Sequence, residues 1–303
     1  MGENHMISLK KILVPVDFSE PSRKAVTYGL SLAEQFSAKL ILAHIVPEST
    51  ALLYAFPTEL PEVEKDQYAK AKNEINNLVP VERAANLNLQ TIVKIGNVEA
   101  ELLGIVKDEA IDLVVLGTHG RRRLGRWFIG SVTEHMLRKV PVPVLTVSHV
   151  EPEKHAIGFV SLKRILYATD LSESSSTALH YAAELARAGE AQLTVLHAVD
   201  DDERTLWGPA WIAHFDRVKL LEQARTRLDE LVEREKLPEI RIEKLVVEGK
   251  PFRKIIEVAE HSGMDIVILN LQSRSALERA LLGSTAERVV RLAPIPVLSV
   301  PVA

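Results

Sequence analysis

Apolar positions along this chain fall into two recurring patterns. Short runs rich in Val, Ile and Leu, such as KILVPV from Lys11, KLILAHIV from Lys39 and IDLVVL from Ile111, are continuous rather than alternating. Strands buried on both faces of a parallel sheet read this way. Longer segments between them repeat their apolar residues every three, four or seven positions, the period of a helix with one buried face. In the first half the pattern predicts strands near 11–17, 39–46, 89–95, 112–116 and 143–147, and helices near 21–36, 62–80, 97–109 and 131–140. Such alternation predicts an α/β fold of βαβ units around a parallel sheet. The clearest helical stripe in the second half is Trp211, Phe215, Val218, Leu221, Leu228 and Leu231, which reads as core packing.

The second half repeats the first. KILVPVDFSE at Lys11 returns as RILYATDLSE at Arg164, 153 positions on, and the offset never changes. It carries His44 onto His197, Gly96 onto Gly249, Asp112 onto Asp265, and Gly130-Ser131 onto Gly283-Ser284. Identities gather at turns and strand ends, where geometry is demanding. Two copies of one domain follow. Residues 149–162 lack a sustained period and contain Pro152 and Gly158, so they read as a linker between domains at 1–148 and 163–303.

Composition narrows the class without naming a function. With 47% apolar and 26% charged residues in 303, the chain has the mixture of a folded globular protein. It contains no cysteine, which excludes thiolate metal sites, disulfides and a cysteine nucleophile. A formal charge of -4 supplies no global attraction to nucleic acid, and none is expected as a partner. No run reaches the ~18 apolar residues of a membrane span, and MGENHMISLKK has no apolar signal core. The expected location is therefore the cytoplasm, without membrane insertion.

The chemistry points to the loop after the fourth strand. Gly117, Gly120, Gly130 and Ser131 stand in the pattern G-x2-G-x9-G-S between an apolar strand and a helix. Ligands of open parallel sheets sit beyond the carboxyl ends of the strands, which is where this loop begins. Glycines there let backbone amides approach a phosphate, and the N–H groups of a helix start favour an anion. The same glycines would also serve a tight turn and helix packing. Arg121, Arg122, Arg123 and Arg126 either neutralise a bound polyanion or form a solvated loop face. Neither a P-loop nor a G-x-G-x-x-G fingerprint occurs.

Together with that pattern, the segments KILVPVDFSEPSRKAV, AKLILAHIV, Gly96 to Leu103 with its paired leucines, and VPVPVLTV make the chain resemble a tandem universal stress protein over nearly its whole length. The resemblance implies two similar five-stranded, nucleotide-binding-like α/β sandwich domains of the adenine nucleotide alpha hydrolase-like kind. Their last strands would pair as an intrachain pseudo-dimer, with a homodimer a further arrangement. It also implies ATP binding where the glycine pattern is intact. Carried over, Gly117 and Gly120 would approach the triphosphate, and Gly130, Ser131 and Val132 would hold its phosphates. Leu116 and Thr133 flank these groups. Asp17 would sit by the nucleoside and reach a magnesium shell, magnesium entering only with the nucleotide. Pro15 and Val16 would help form the base and ribose pocket, and the Ile45 backbone would meet the adenine edge.

The second copy departs from the pattern. Asn270 and Ser273 stand where Gly117 and Gly120 do, Ala168 replaces Pro15, and Ala198 replaces Ile45, while Asp170, Gly283 and Ser284 persist. Weak or absent ATP binding is expected there, so ATP would be held mainly by the first copy. His44 and His197, within apolar strands, read as structural, and the remaining histidines show no metal-ligand spacing. No general base aimed at a γ-phosphate is evident, so the expectation is a non-enzymatic, ATP-binding stress-response module with no catalytic residues and at most weak ATPase activity. Two alternatives stay open. One is a nucleotide-independent scaffold for an unknown protein partner or a small apolar ligand; the other is a slow ATPase or transferase.

Overall fold

The continuous apolar runs form parallel strands, and the reason lies in what covers them. In a computed structural model, which describes residues 9–48, 62–118, 129–148, 160, 162–200, 210–271 and 283–302, two compact units span residues 8–160 and 161–303. In the first unit the order along the chain is β1 (Lys11–Pro15), α1 (Glu20–Phe36), β2 (Lys39–Pro47), α2 (Glu62–Asn76), α3 (Val81–Ala84), β3 (Leu89–Gly96), α4 (Val98–Asp108), β4 (Leu113–Gly117), α5 (Ser131–Lys139) and β5 (Val144–Val147). The strands lie side by side as β3-β2-β1-β4-β5, all parallel. Ile12, Leu13, Leu40, Ile41, Val114 and Val115 are fully buried at its centre.

The second unit repeats this with β6 (Arg164–Thr169), α6 (Ser175–Gly189), β7 (Gln192–Val199), α7 (Ala210–Arg234), β8 (Arg241–Glu248), α8 (Pro251–His261), β9 (Ile266–Leu271), α9 (Ser284–Leu292) and β10 (Val297–Pro301). Its strand order, read from the opposite edge, is β8-β7-β6-β9-β10, again parallel. The helix expected over 62–80 ends earlier, at Asn76. The stripe on α7 is also less uniform than its spacing suggests: Leu228 and Leu231 are buried, whereas Val218 is 43% exposed. The side chains of Trp211 and Phe215 lie outside the described residues.

Several internal identities have a backbone cause. Asp112 Oδ2 accepts the backbone N–H groups of Lys10 and Lys11, both at 2.9 Å, at the amino end of β1. Asp265 holds Lys163 and Arg164 in the same way, at 2.7 and 2.8 Å. Each carboxylate thus pairs two strand-start donors that the sheet leaves unused. Gly96 and Gly249 turn the chain after β3 and β8 with φ of +155° and +131°, a region that a side chain disfavours. Helix α1 begins with Ser19, whose Oγ accepts from Ser22 N, and has Pro21 in its first turn.

Candidate functional site

Strand order fixes where a ligand can sit. From β1 the chain goes to β2 and β3 on one side, then crosses to β4 and β5 on the other, so the carboxyl ends of β1 and β4 flank a topological switch point. Pro15, Val16 and Asp17 leave β1 there; Leu116 and Gly117 leave β4. Val16 is tied to the neighbouring strand twice: its N–H donates to the Ala43 carbonyl at 2.8 Å, and its carbonyl lies 2.6 Å from His44 Nδ1. A carbonyl only accepts, so Nδ1 carries the proton. His44 is therefore a strap between β2 and the end of β1, and His197 repeats it on the Thr169 carbonyl at 2.9 Å.

The turn after β1 is preorganised. Asp17 Oδ1 accepts from Ser19 N at 3.0 Å and from Ser19 Oγ at 2.5 Å. Phe18 between them adopts a left-handed φ of +65°, and its ring packs on His44 with centroids 4.6 Å apart. The second copy makes the same turn with Leu171 at φ +59°. Bulky residues in this region are strained by about 1–3 kcal/mol, so the surrounding bonds must hold them. Residue type gives no warning of this conformation; the D-x-S spacing around it is the only available signal.

Gly117 is glycine for a steric reason that differs from phosphate approach. A Cβ there would lie 2.7 Å from the carbonyl carbon of Pro21 and 2.8 Å from its oxygen. The first turn of α1 thus presses directly on the end of β4. Helix α5 is stitched to the same end: Gly130 N donates to Thr118 O, and the buried Thr133 hydroxyl donates to Gly117 O, both at 2.9 Å. No side chain caps α5 at Gly130. Ser131 is exposed beside the uncapped first turn, and Val132 is half-buried. Gly120 and the arginines at 121, 122, 123 and 126 lie outside the described residues.

In the second copy the counterparts of the described candidates surround one cavity of about 300 Å³. Ala168, Thr169 and Asp170 come from the end of β6, Ala198 from β7, and Leu269 and Asn270 from the end of β9. Gly283, Ser284, Thr285 and Ala286 come from the start of α9, so ten of the eleven candidate positions are represented. The eleventh, Ser273, lies outside the described residues. Asn270, standing at the Gly117 position, donates from Nδ2 to the Ser174 carbonyl at 2.7 Å. Its Oδ1 is buried without a hydrogen-bond partner. Helix α6 starts at Ser175, whereas the offset would start it at Glu173.

Hydroxyls secure this altered helix start. Ser175, fully buried, meets Thr169 Oγ1 at 2.9 Å and Asp170 Oδ1 at 3.1 Å. The Tyr167 hydroxyl donates to the Ser175 carbonyl at 2.7 Å, and burial pushes its phenol up to about 12. Val14 occupies the same place in the first copy.

Residues 8–148 and 161–301 each match the model of the Universal stress protein family. The chain belongs to the universal stress protein family. A universal stress protein of Mycolicibacterium smegmatis is 26% identical over 95% of this chain and 96% of its own length. Universal stress protein MJ0577 of Methanocaldococcus jannaschii is 28% identical, covering 46% of this chain and 96% of itself. The crystal structure of a universal stress protein from Archaeoglobus fulgidus covers 98% of each chain with a TM-score of 0.70 and 19% identity, a likeness of fold. Two tandem universal stress protein domains thus account for the duplication.

Within this family frame, the groups present in the first copy suit a phosphorylated ligand in kind. Uncapped first-turn N–H groups and the exposed Ser131 are donors for phosphate oxygens, and the Asp17 carboxylate at the end of β1 accepts from hydroxyls. Among the described residues, no group of three or more His, Asp or Glu is placed to hold a metal ion. His135 instead pairs with Glu99 at 3.0 Å, joining α5 to α4.

Proposed function

We propose that the first copy binds an adenine nucleotide, ATP with any magnesium carried in as part of the complex, and that the protein is a stress-response regulatory module with negligible turnover. The observation that carries this reading is the uncapped start of α5, stitched through Gly130 and Thr133 to the end of β4 at the switch point. Donors there are fixed before any ligand arrives, which keeps the ordering cost of binding low. Pro15, Val16, Asp17, Ile45, Leu116 and Gly117 supply the strand-end wall, and Gly120 extends the phosphate side in this reading. Negligible turnover is supported by a sequence in which no P-loop lysine and no general base aimed at a γ-phosphate is evident. Residence in the cytoplasm belongs to the same reading, in keeping with a chain that has no cysteine.

The test is to denature purified protein, identify the released nucleotide, and titrate ATP into the nucleotide-free chain. One ATP per chain and slow multiple-turnover phosphate release are expected. Ser131→Pro removes one N–H at the first helical position, where proline is tolerated, and should weaken ATP at least tenfold while the fold persists. A chain that binds no adenine nucleotide, or binds it equally well with Ser131→Pro, overturns the assignment.

A further inference from the structure

The left-handed turns after β1 and β6 are held by the same kind of side chain, drawn from different helices. In the first copy Arg23, in α1, donates from Nε to the Phe18 carbonyl at 3.3 Å and from Nη2 to Glu74 Oε1 on α2 at 3.1 Å. In the second copy Arg227, in α7, donates from Nη2 to the Leu171 carbonyl, also at 3.3 Å. The offset of 153 carries Phe18 onto Leu171 and Glu74 onto Arg227, but it carries Arg23 onto Ser176. Where the first helix of a copy lacks the arginine, the second helix has it. The carbonyl keeps a guanidinium donor either way.

We propose that Arg23, aimed by Glu74, is a positioning residue of the first copy's site: it holds the turn that keeps Asp17 at the end of β1. The proposal rests on the reading of that site as the one for adenine nucleotide. Phe18, at φ +65°, occupies a region that a bulky side chain disfavours, so the turn relaxes unless contacts hold it. Asp17 Oδ1 and Ser19 hold one side, and the Phe18 ring on His44 holds another. Arg23 holds the carbonyl that follows Phe18 Cα. A guanidinium suits this task, because its planar fork reaches a carbonyl with one nitrogen and a carboxylate with another.

Exposure separates positioning from stability. The Arg23 and Glu74 side chains are 51% and 37% exposed, and ion pairs that wet contribute little to folding. Their removal should therefore show in the ligand and in the turn, with the thermal midpoint nearly unchanged.

The second copy supplies the test. Arg23→Ser gives the first copy the residue found at Ser176, and Glu74→Arg adds the arginine found at Arg227. Position 74 already touches the Arg23 guanidinium, so an arginine there reaches the same carbonyl. Titrated by calorimetry into the full chain, ATP should bind Arg23→Ser about fivefold more weakly, the effect of one lost hydrogen bond. The double variant Arg23→Ser/Glu74→Arg should recover wild-type affinity. Arg23→Ser/Glu74→Leu restores net charge without a donor and should stay weak; recovery there would mean that charge alone acts, and would overturn the proposal. In the nucleotide-free chain the Ser19 amide, which donates to Asp17, should exchange faster in Arg23→Ser and slow again in the Glu74→Arg double variant. Unchanged ATP affinity or unchanged Ser19 exchange in Arg23→Ser would also overturn it. A wild-type chain that binds no ATP would instead sink the reading of the first copy, and Ser19 exchange would then decide alone whether Arg23 holds the turn.

Discussion

At the end of β4 the first copy has a glycine with the Pro21 backbone against it; at the end of β9 the second has Asn270 reaching to the Ser174 carbonyl. Around this single position the two mouths diverge. With no side chain in the way, α1 begins at Glu20, capped by Ser19, and its first turn closes on the strand. With an amide inserted, α6 begins at Ser175, and the preceding turn is held by Thr169, Asp170 and Ser172 instead. Thr133, which ties α5 to β4, is matched by Ala286, which has no hydroxyl to do so. Sheets of one topology can thus carry different sites, because strand order fixes where a ligand sits and strand-end residues fix what it meets.

The sharpest way to break this comparison is Gly117→Val, which forces a branched side chain into backbone at 2.7 Å. A loss of about 3 kcal/mol in urea unfolding of the first copy is expected, the upper part of the overpacking range. Asn270→Gly should cost only about 1 kcal/mol, the loss of one hydrogen bond. Equal costs would show that the glycine is not there for helix seating.

Alkaline titration separates the copies next. Tyr167, absent from the first copy, keeps its proton in the folded state up to about 12, while the unfolded chain loses it near 10.0. Its contribution is therefore intact below pH 10 and declines as pH rises toward 12, by about 2–3 kcal/mol in all. Tyr167→Phe should abolish this share of the slope; an unchanged slope would mean that the buried phenol does not control it.

The smallest effect concerns how the last helix is tied to its neighbour. His135 meets Glu99 in the first copy, whereas at the same two positions the Arg288 guanidinium lies over the Phe252 ring, 4.8 Å from its centroid. Both contacts are partly exposed, so His135→Ala and Arg288→Ala should each cost under about 1 kcal/mol in thermal melts.

Much of the fold was legible because burial on both faces of the sheet forces continuous apolar runs, a pattern that amphipathic helices and half-exposed strands do not produce. Helix limits were less so: α2 stops at Asn76, although apolar residues continue to Leu78 and Val79. The repeat made Asp112 and Asp265 conspicuous without saying why, since a carboxylate holding two strand-start amides 101 and 102 residues away leaves no local pattern. Gly117 illustrates the harder case. Its place in a glycine motif suggested phosphate approach, but the contact that demands it comes from Pro21, nearly a hundred positions earlier in the chain. The left-handed Phe18 and Leu171 carry no cue in their own residue type, because apolar residues ordinarily avoid that conformation; only the flanking D-x-S spacing hints at the turn.

Asp112 and Asp265 also have a consequence for how such a chain can change over time. Each fastens its sheet at the amino end of β1 or β6, and a strand of five or six residues at roughly 3.3 Å each separates that fastening from the carboxyl rim. Substitutions that far apart act nearly independently. After a duplication, one rim could therefore drift toward a new specificity without loosening the anchor that keeps the domain folded.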